Sequence, residues 1–320
     1  MTLHEITIEV TQRCPNRCIY CSSLSDATKT QYLDYETICR VVDDAKSLGA
    51  KSVSLSGGEP FLHSDIVKIA EYINLRGMTC LLYSSGIVLS KDGTPASVPA
   101  DTLESIKGKV SKLIVNIEAS DETTYNRIMG TSFDGFGLMQ DSVRKAIKAG
   151  ITVEAHVVPM KLNIRQLPKI MALCDQLGVS CVSFLRLVVQ GRAYEHKSEI
   201  LLSEDDVAFA KYLVATHAPQ YLGAIRFGIP FGECTHRINC MTGTSKLDIR
   251  YDGKVYPCEA FKDMPDGINA PDSIYEKRLS EIYINSAYLN EIRRQLDVFQ
   301  QVNTCECCMN QYYRKQNERR

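Results

Sequence analysis

Residues 5–21 read Glu5-Ile6-Thr7-Ile8-Glu9-Val10-Thr11-Gln12-Arg13-Cys14-Pro15-Asn16-Arg17-Cys18-Ile19-Tyr20-Cys21. The β-branched run Glu5 to Val10 predicts a strand that leads directly into a loop with three thiols at C-x3-C-x2-C spacing. Working outward, similar runs return at Ser52 to Leu55, Thr79 to Tyr83, Lys112 to Ile117, Thr152 to Val158 and Ser180 to Leu185. Between them lie amphipathic stretches of helical length, among them Tyr35 to Leu48, Ser64 to Arg76 and Phe136 to Ala149. Gly49, Gly77 and Gly150 follow these stretches, where a helix is commonly ended. Six βα repeats predict an α/β fold with a parallel sheet. Right-handed crossovers curl such a sheet into a full or partial barrel, with ligands at the carboxyl ends of its strands.

With 320 residues and 44% hydrophobic content, the chain is long enough for one large α/β domain with a satellite, or for two modest domains. Lys and Arg number 37 against 38 Asp and Glu, a net of −1, so no global field recruits nucleic acid or an anionic membrane. Thirteen cysteines in this length fall well below the density of about 8–10% that marks a disulfide scaffold. Metal or redox chemistry is the better reading. Met1-Thr2-Leu3-His4-Glu5 shows no basic segment followed by an apolar one, and the apolar runs are too short to span a bilayer. A cytoplasmic location is expected, where clustered thiols persist as iron or zinc ligands.

Three thiols on one tight loop fit a cubane cluster of four irons that keeps one iron open for a small molecule; a zinc loop tolerates the same spacing. The second strand ends as Ser54-Leu55-Ser56-Gly57-Gly58-Glu59-Pro60, two glycines that allow close backbone approach and a carboxylate suited to a ligand ammonium. An open iron beside that carboxylate would hold an α-amino acid moiety by both of its ends.

On these residues the chain resembles the radical S-adenosylmethionine (SAM) superfamily. Cys14, Cys18, Tyr20 and Cys21 match its CxxxCxxC motif with an aromatic residue before the last Cys, and Gly57 to Pro60 match its GGEP motif. The resemblance implies a partial (β/α)6 TIM-like barrel and a [4Fe-4S] cluster whose open iron chelates SAM. It also implies reductive cleavage of SAM to methionine and a 5′-deoxyadenosyl radical that abstracts hydrogen. Gly57, Gly58, Glu59 and Tyr20 are then SAM-site residues. Ser84 lies in Tyr83-Ser84-Ser85-Gly86, where the family often has a polar-Asn-Gly turn and this chain has Ser85 for the Asn. Asn116 opens Asn116-Ile117-Glu118-Ala119, at the family's Ser-Leu-Asp-Gly, and is assigned to the ribose. Arg186, at the sixth strand, is the basic residue expected toward SAM, and His156 either faces substrate or is a satisfied core histidine.

After about residue 195 the rhythm changes. Leu201 to Asp206 reads as a cap opening a helix to about His217, and Gly and Pro then accumulate through Gly228 and Pro230. We expect a barrel over 1–195, a linker with a helix over 196–232, and a Cys-rich domain over 233–320 with a hairpin from Leu247 to Tyr256 and a helix from Ser286 to Phe299. Cys240, Cys258, Cys305 and Cys308 suit a closed four-thiolate site for zinc or a second cluster. The C-xx-G, G-x4-C and C-x2-C elements resemble the SPASM and Twitch extensions of radical SAM enzymes. That resemblance implies an auxiliary [4Fe-4S] cluster in the single-cluster Twitch form, with Cys234 and Cys307 as possible substitute ligands. Cys39, Cys80, Cys174 and Cys181 read as small buried hydrophobes, and the basic ending from Tyr312 as a solvated tail.

The expected function is a radical SAM oxidoreductase or maturase that oxidises, cross-links or epimerises a C–H position of a peptide, fed by a low-potential donor such as flavodoxin or ferredoxin. Against a peptide, the loop at residue 14 leaves little room for an N-terminal recognition domain. A small molecule such as an aminocyclitol or sugar is the alternative substrate, and a non-catalytic iron–sulfur or zinc protein the remote one.

Overall fold

The computed structural model describes residues 2–227, 240–262 and 270–302. Its first strand, β1 (Glu5–Thr11), buries Ile6, Ile8 and Val10 in the hydrophobic core. Successive side chains of a strand alternate between faces, so Glu5, Thr7 and Glu9 share the other face. The pattern continues in β2 (Ser52–Gly57), with Val53 and Leu55 in the core against Ser54 and Ser56, and in β3 (Thr79–Ser84), with Cys80 and Leu82 in the core against Tyr83. A small antiparallel hairpin, β4 (Ile87–Leu89) and β5 (Pro95–Ser97), follows. In β6 (Lys112–Asn116), β7 (Val153–Val157) and β8 (Cys181–Phe184), the outer residues Val115, Ala155 and Val182 alternate with Asn116, His156 and Ser183.

Parallel strands buried on both faces ordinarily read as near-continuous apolar runs. Here the face under the helices is apolar, and the inner face is mixed, with Leu81, Tyr83, Ile114 and Cys181 beside its polar residues. The outer layer comprises α1 (Tyr35–Ser47), α2 (Ile66–Leu75), α3 (Ala100–Ile106), α4 (Glu122–Met129), α5 (Gly135–Lys148) and α6 (Leu167–Leu177). α1 shows the logic: the Asp34 carboxylate accepts from the Thr37 amide at 2.7 Å, and Ile38, Val41, Val42 and Ala45 then fall on one buried face. Two short turns, α7 (Arg192–Glu195) and α8 (Lys197–Ile200), precede α9 (Glu204–His217), which Ser203 and Asp206 open with a reciprocal capping box.

The six expected strands lie side by side as β1-β2-β3-β6-β7-β8, all parallel. Both ends of that run are extended. β9 (Ala224–Phe227), within the stretch read as a linker, pairs in parallel with β8; it is short and mostly exposed, so its sequence carries no burial period. β10 (Lys246–Ile249) pairs in parallel with β1, matching Ile6 to Leu247 and Ile8 to Ile249. Through a turn at Asp252-Gly253, with Gly253 at φ +79°, it returns as antiparallel β11 (Val255–Tyr256). The expected C-terminal hairpin is therefore part of the barrel's own sheet. α10 (Leu279–Asn285) and α11 (Ala287–Val302) follow, and Arg278 pairs with Asp44 of α1.

At the amino-terminal ends of the strands, partly exposed ion pairs close the barrel floor. Lys112 reaches Glu154 at 2.6 Å and Arg226 of β9 pairs with the same carboxylate, while Lys246 lies 3.1 Å from Glu5 and 2.9 Å from Glu259. The opposite end is left for the site. If β10 is integral to the barrel, Ile249→Ala should lower the global unfolding free energy by about 2–5 kcal/mol in a single urea transition; a separate early transition would show that the hairpin unfolds by itself.

Candidate active site

The loop after β1 has almost no regular structure, so its buried backbone groups must find partners in other elements. The amides of Arg17 and Ile19 donate to the carbonyls of Met129 (3.1 Å) and Ile128 (3.0 Å) at the end of α4, and the Cys14 amide donates to Asp26 O at 3.1 Å. From the end of β2, the Gly58 amide donates to Thr11 O at 2.6 Å and the Glu59 amide to Arg13 O at 2.8 Å. A Cβ on Gly58 would stand 2.2 Å from Arg13 O. Glycine is required there by the loop itself. After β8, the Arg192 amide donates to Cys21 O at 3.1 Å, its Nε to Cys18 O at 2.8 Å and its Nη2 to Ser25 O at 2.7 Å.

This grip turns Cys14, Cys18 and Cys21 onto one cavity of about 200 Å³ that opens to solvent. Tyr20, Gly57, Gly58, Ser84 and Asn116, all expected from the sequence, line it as well. Burial first, and then a neighbouring thiol, Cys18 for Cys14 and Cys21 for Cys18, push these two thiols well above their usual range, while Arg192 draws Cys18 down. Thiols crowded in this way ionise on binding a metal, which offsets their mutual repulsion. Both side-chain polar atoms of buried Asn16, and Ser25 Oγ, have no protein partner and lie on the same lining. The donor set and the unfilled polar atoms fit an iron–sulfur cluster with a polar ligand.

Tyr20 Oη donates to Glu118 Oε1 at 2.7 Å, and Asn116 Nδ2 donates to the same oxygen at 3.1 Å. Glu118 is fully buried and also accepts from the Val158 amide at 2.8 Å; burial nonetheless pushes its carboxyl up to about 7. It holds Tyr20 and Asn116 in place, a role the sequence did not single out. Two expected residues take other positions. Glu59 is fully buried beneath the cavity, accepting from Ser84 Oγ (2.8 Å), the Ser85 amide (2.8 Å) and Ser85 Oγ (2.7 Å), so it organises the end of β3. Its carboxyl is pushed up to about 6 by burial. Arg186 lies past the end of β8 and off the lining; the arginine on the lining is Arg192, six residues later. His156 packs edge-on against Tyr83 at 5.3 Å on the inner face, its ring pushed down to about 4 by burial.

The cavity's far wall carries Glu9 and Lys262, a buried ion pair that Ser23 joins by donating to Glu9, with Asp248 3.8 Å from the ammonium. Lys262 follows Cys258 by four residues. The C-xx-G and G-x4-C elements meet where the Gly243 amide donates to Pro257 O at 2.8 Å, and Cys240 and Cys258 are both half-buried against the core. Burial pushes the Cys258 thiol up, with Cys240 adding to it. Gln190 Nε2 donates to Glu259 O at 2.6 Å, so the turn that grips the first loop also touches this segment. Cys234, Cys305, Cys307 and Cys308 lie outside the described residues. Cys80, Cys174 and Cys181 are buried, and Cys39 is half-buried.

The family model of the radical SAM superfamily matches residues 8–174, just over half the chain. The chain belongs to the radical SAM superfamily. A second model, SPASM, described as an iron–sulfur cluster-binding domain, matches residues 240–309. This radical SAM protein therefore binds a [4Fe-4S] cluster with SAM and carries auxiliary iron–sulfur binding at its C-terminal end. It is 30% identical over 296 residues to a PqqA peptide cyclase of Ruegeria pomeroyi, covering 89% of this chain and 75% of that protein. A PqqA peptide cyclase of Gluconobacter oxydans is 25% identical over 290 residues, 89% of this chain and 77% of that one. Among solved structures, Streptococcus suis SuiB bound to its precursor peptide SuiA has a TM-score of 0.74 at 17% identity, covering 91% of this chain and 67% of that one. The structure of anSMEcpe with bound AdoMet has a TM-score of 0.67 at 15% identity, covering 91% of this chain and 82% of that one. These two share the fold. Among the described residues no helix is long and apolar enough to cross a membrane.

Gly58→Ala should displace the Arg13 carbonyl, so iron bound per chain should fall sharply in anaerobically purified protein; wild-type iron content would show that the loop can yield. Glu59 and Glu118 also set a pH dependence. Both ionise near 4.5 when unfolded and at about 6 and about 7 when folded, so their contribution to stability is full below pH 4.5 and is lost as pH rises through 6 and 7. Glu118→Gln should flatten the upper part of that decline in urea unfolding between about pH 5 and 8. An unchanged slope would contradict the assignment.

Proposed function

We propose that this radical SAM protein is an oxidoreductase that oxidises, cross-links or epimerises a C–H position of a peptide. The observation that carries the reading is the 30% identity to a PqqA peptide cyclase, which runs over 89% of the chain and so takes in both the barrel and most of the C-terminal segment. The SuiB structure bound to a precursor peptide supports it through the shared fold. When bound, the cluster and SAM supply the radical that abstracts hydrogen from the substrate.

On this reading Cys14, Cys18 and Cys21 ligate the SAM cluster, while Tyr20, Gly57, Gly58, Ser84 and Asn116 form the SAM pocket, with Glu59 and Glu118 holding its walls. Cys240, Cys258, Cys305 and Cys308 would hold one auxiliary [4Fe-4S] cluster, which would supply an acceptor for an electron from substrate oxidation. A flavodoxin or ferredoxin is the electron source. The polar residues on the inner face of the strands suit a substrate that is hydrogen-bonded as it enters, and the protein's own part is to position it and exclude water.

With SAM, a low-potential reductant and short peptides, the anaerobic protein should form 5′-deoxyadenosine and a peptide product that has lost hydrogen or inverted a centre. Cys18→Ala should abolish 5′-deoxyadenosine formation. Turnover of an aminocyclitol or sugar in place of any peptide would overturn the substrate assignment. Metal analysis should find about eight irons and eight sulfides per chain with little zinc; about four irons plus one zinc would make the C-terminal site structural.

A further inference from the structure

Among the described residues Arg192 is one of two buried arginines, and the one that faces the Cys14 loop. Its residue is 4% exposed, and among the described residues its guanidinium forms no ion pair: its partners are the carbonyl oxygens of Cys18 and Ser25. A buried cation needs neighbouring groups to complete its site, and Cys18 and Asp26 are titratable groups that Arg192 draws down. Arg293, the other buried arginine among the described residues, likewise has no ion pair but is held by Gly243 O, Asn290 and the Tyr283 ring, whereas the enclosed Lys262 ammonium has Glu9. What Arg192 faces instead is the loop of three thiols. Gly191 presses the turn against that loop, with φ +55° and a would-be Cβ only 2.6 Å from Cys21 O. A guanidinium rather than an ammonium is needed, because only a planar fork serves two carbonyls in fixed directions.

We propose that Arg192 is a positioning residue for the iron–sulfur centre of the Cys14 loop, holding the loop through Cys18 and Ser25 and supplying the fixed positive charge that raises the centre's reduction potential. The inference rests on the reading that Cys14, Cys18 and Cys21 are the ligands. Thiolate-ligated clusters become more negative on reduction, so a nearby cation stabilises the reduced state more than the oxidised one, and net charge and hydrogen bonding are the levers a protein has on such potentials.

The test is a reductive titration of the full-length protein followed by electron paramagnetic resonance, using the cluster signal that responds to added SAM, with iron and sulfide measured on the same samples. In Arg192→Gln the reduced-to-oxidised ratio at a fixed potential should drop about tenfold, a shift of ~59 mV for one electron. Arg192→Lys should keep a near-wild-type potential while retaining less iron, since one ammonium cannot serve both carbonyls. A Gln variant with full iron and an unchanged potential would overturn the proposal. If the Gln variant does not retain iron, the Lys variant decides: a potential as in the wild type supports the charge role, and a lowered one overturns it. Cys18→Ala should remove the SAM-responsive signal altogether; its survival would overturn the ligand assignment, and the proposal with it.

Discussion

Three thiols can face one cavity only if the segment that carries them gives up regular hydrogen bonding, and the surrounding elements are arranged to supply it. The Cys14 loop is held by carbonyls at the end of α4, by amides at the end of β2, and by Arg192 after β8. These contacts come from positions up to 174 residues away in the chain. The barrel has to be closed around the loop before the site exists, because an unpartnered buried amide or carbonyl is too unfavourable to leave open. Glycines appear where backbone meets backbone, at Gly58 against Arg13 and at Gly191 against Cys21.

The same closure explains the mixed interior. Strands whose inner residues include Thr7, Glu9, Ser54, Ser56, Asn116, His156 and Ser183 beside Leu81 and Ile114 do not fill a barrel as layered aliphatics would. The charges are sorted along the axis. Paired ions close the floor at the strand starts, the Glu9–Lys262 pair stands on the cavity wall, and Glu59 and Glu118 near the mouth are wholly enclosed and stabilised by several donors each. Their role is to orient Ser84, Ser85, Tyr20 and Asn116 rather than to meet solvent.

Much of this was legible in the sequence, for a reason that also marks where reading stops. The Cys spacing, the Gly57 to Pro60 motif and the six β-branched runs are local patterns, and local patterns survive in one dimension. Glu118 and Arg192 act through residues about 100 and 170 positions away, and nothing in their own neighbourhoods announces this. Arg186 was the natural choice because it follows the sixth strand. The chain leaves that strand at Phe184 and turns at Gly191 before a guanidinium reaches the loop. The Gln190-Gly191-Arg192 triplet, just after the strand, was the available signal. β9 was read as linker because a short exposed edge strand has no burial period to detect.

The strict alternation along these strands divides labour at single-residue resolution. Ile6, Ile8, Val53, Leu55, Val115, Ala155 and Val182 belong to the helix-covered core, and each has a polar neighbour one position away on the inner face. Inheritance can therefore act on the two faces independently: exchanging residues at positions such as 54, 156 or 183 alters what the interior accepts without repacking the layer that keeps the chain folded. A scaffold of this kind can drift from one substrate to another through inner-face changes alone, with its cluster loop and its helices left as they are.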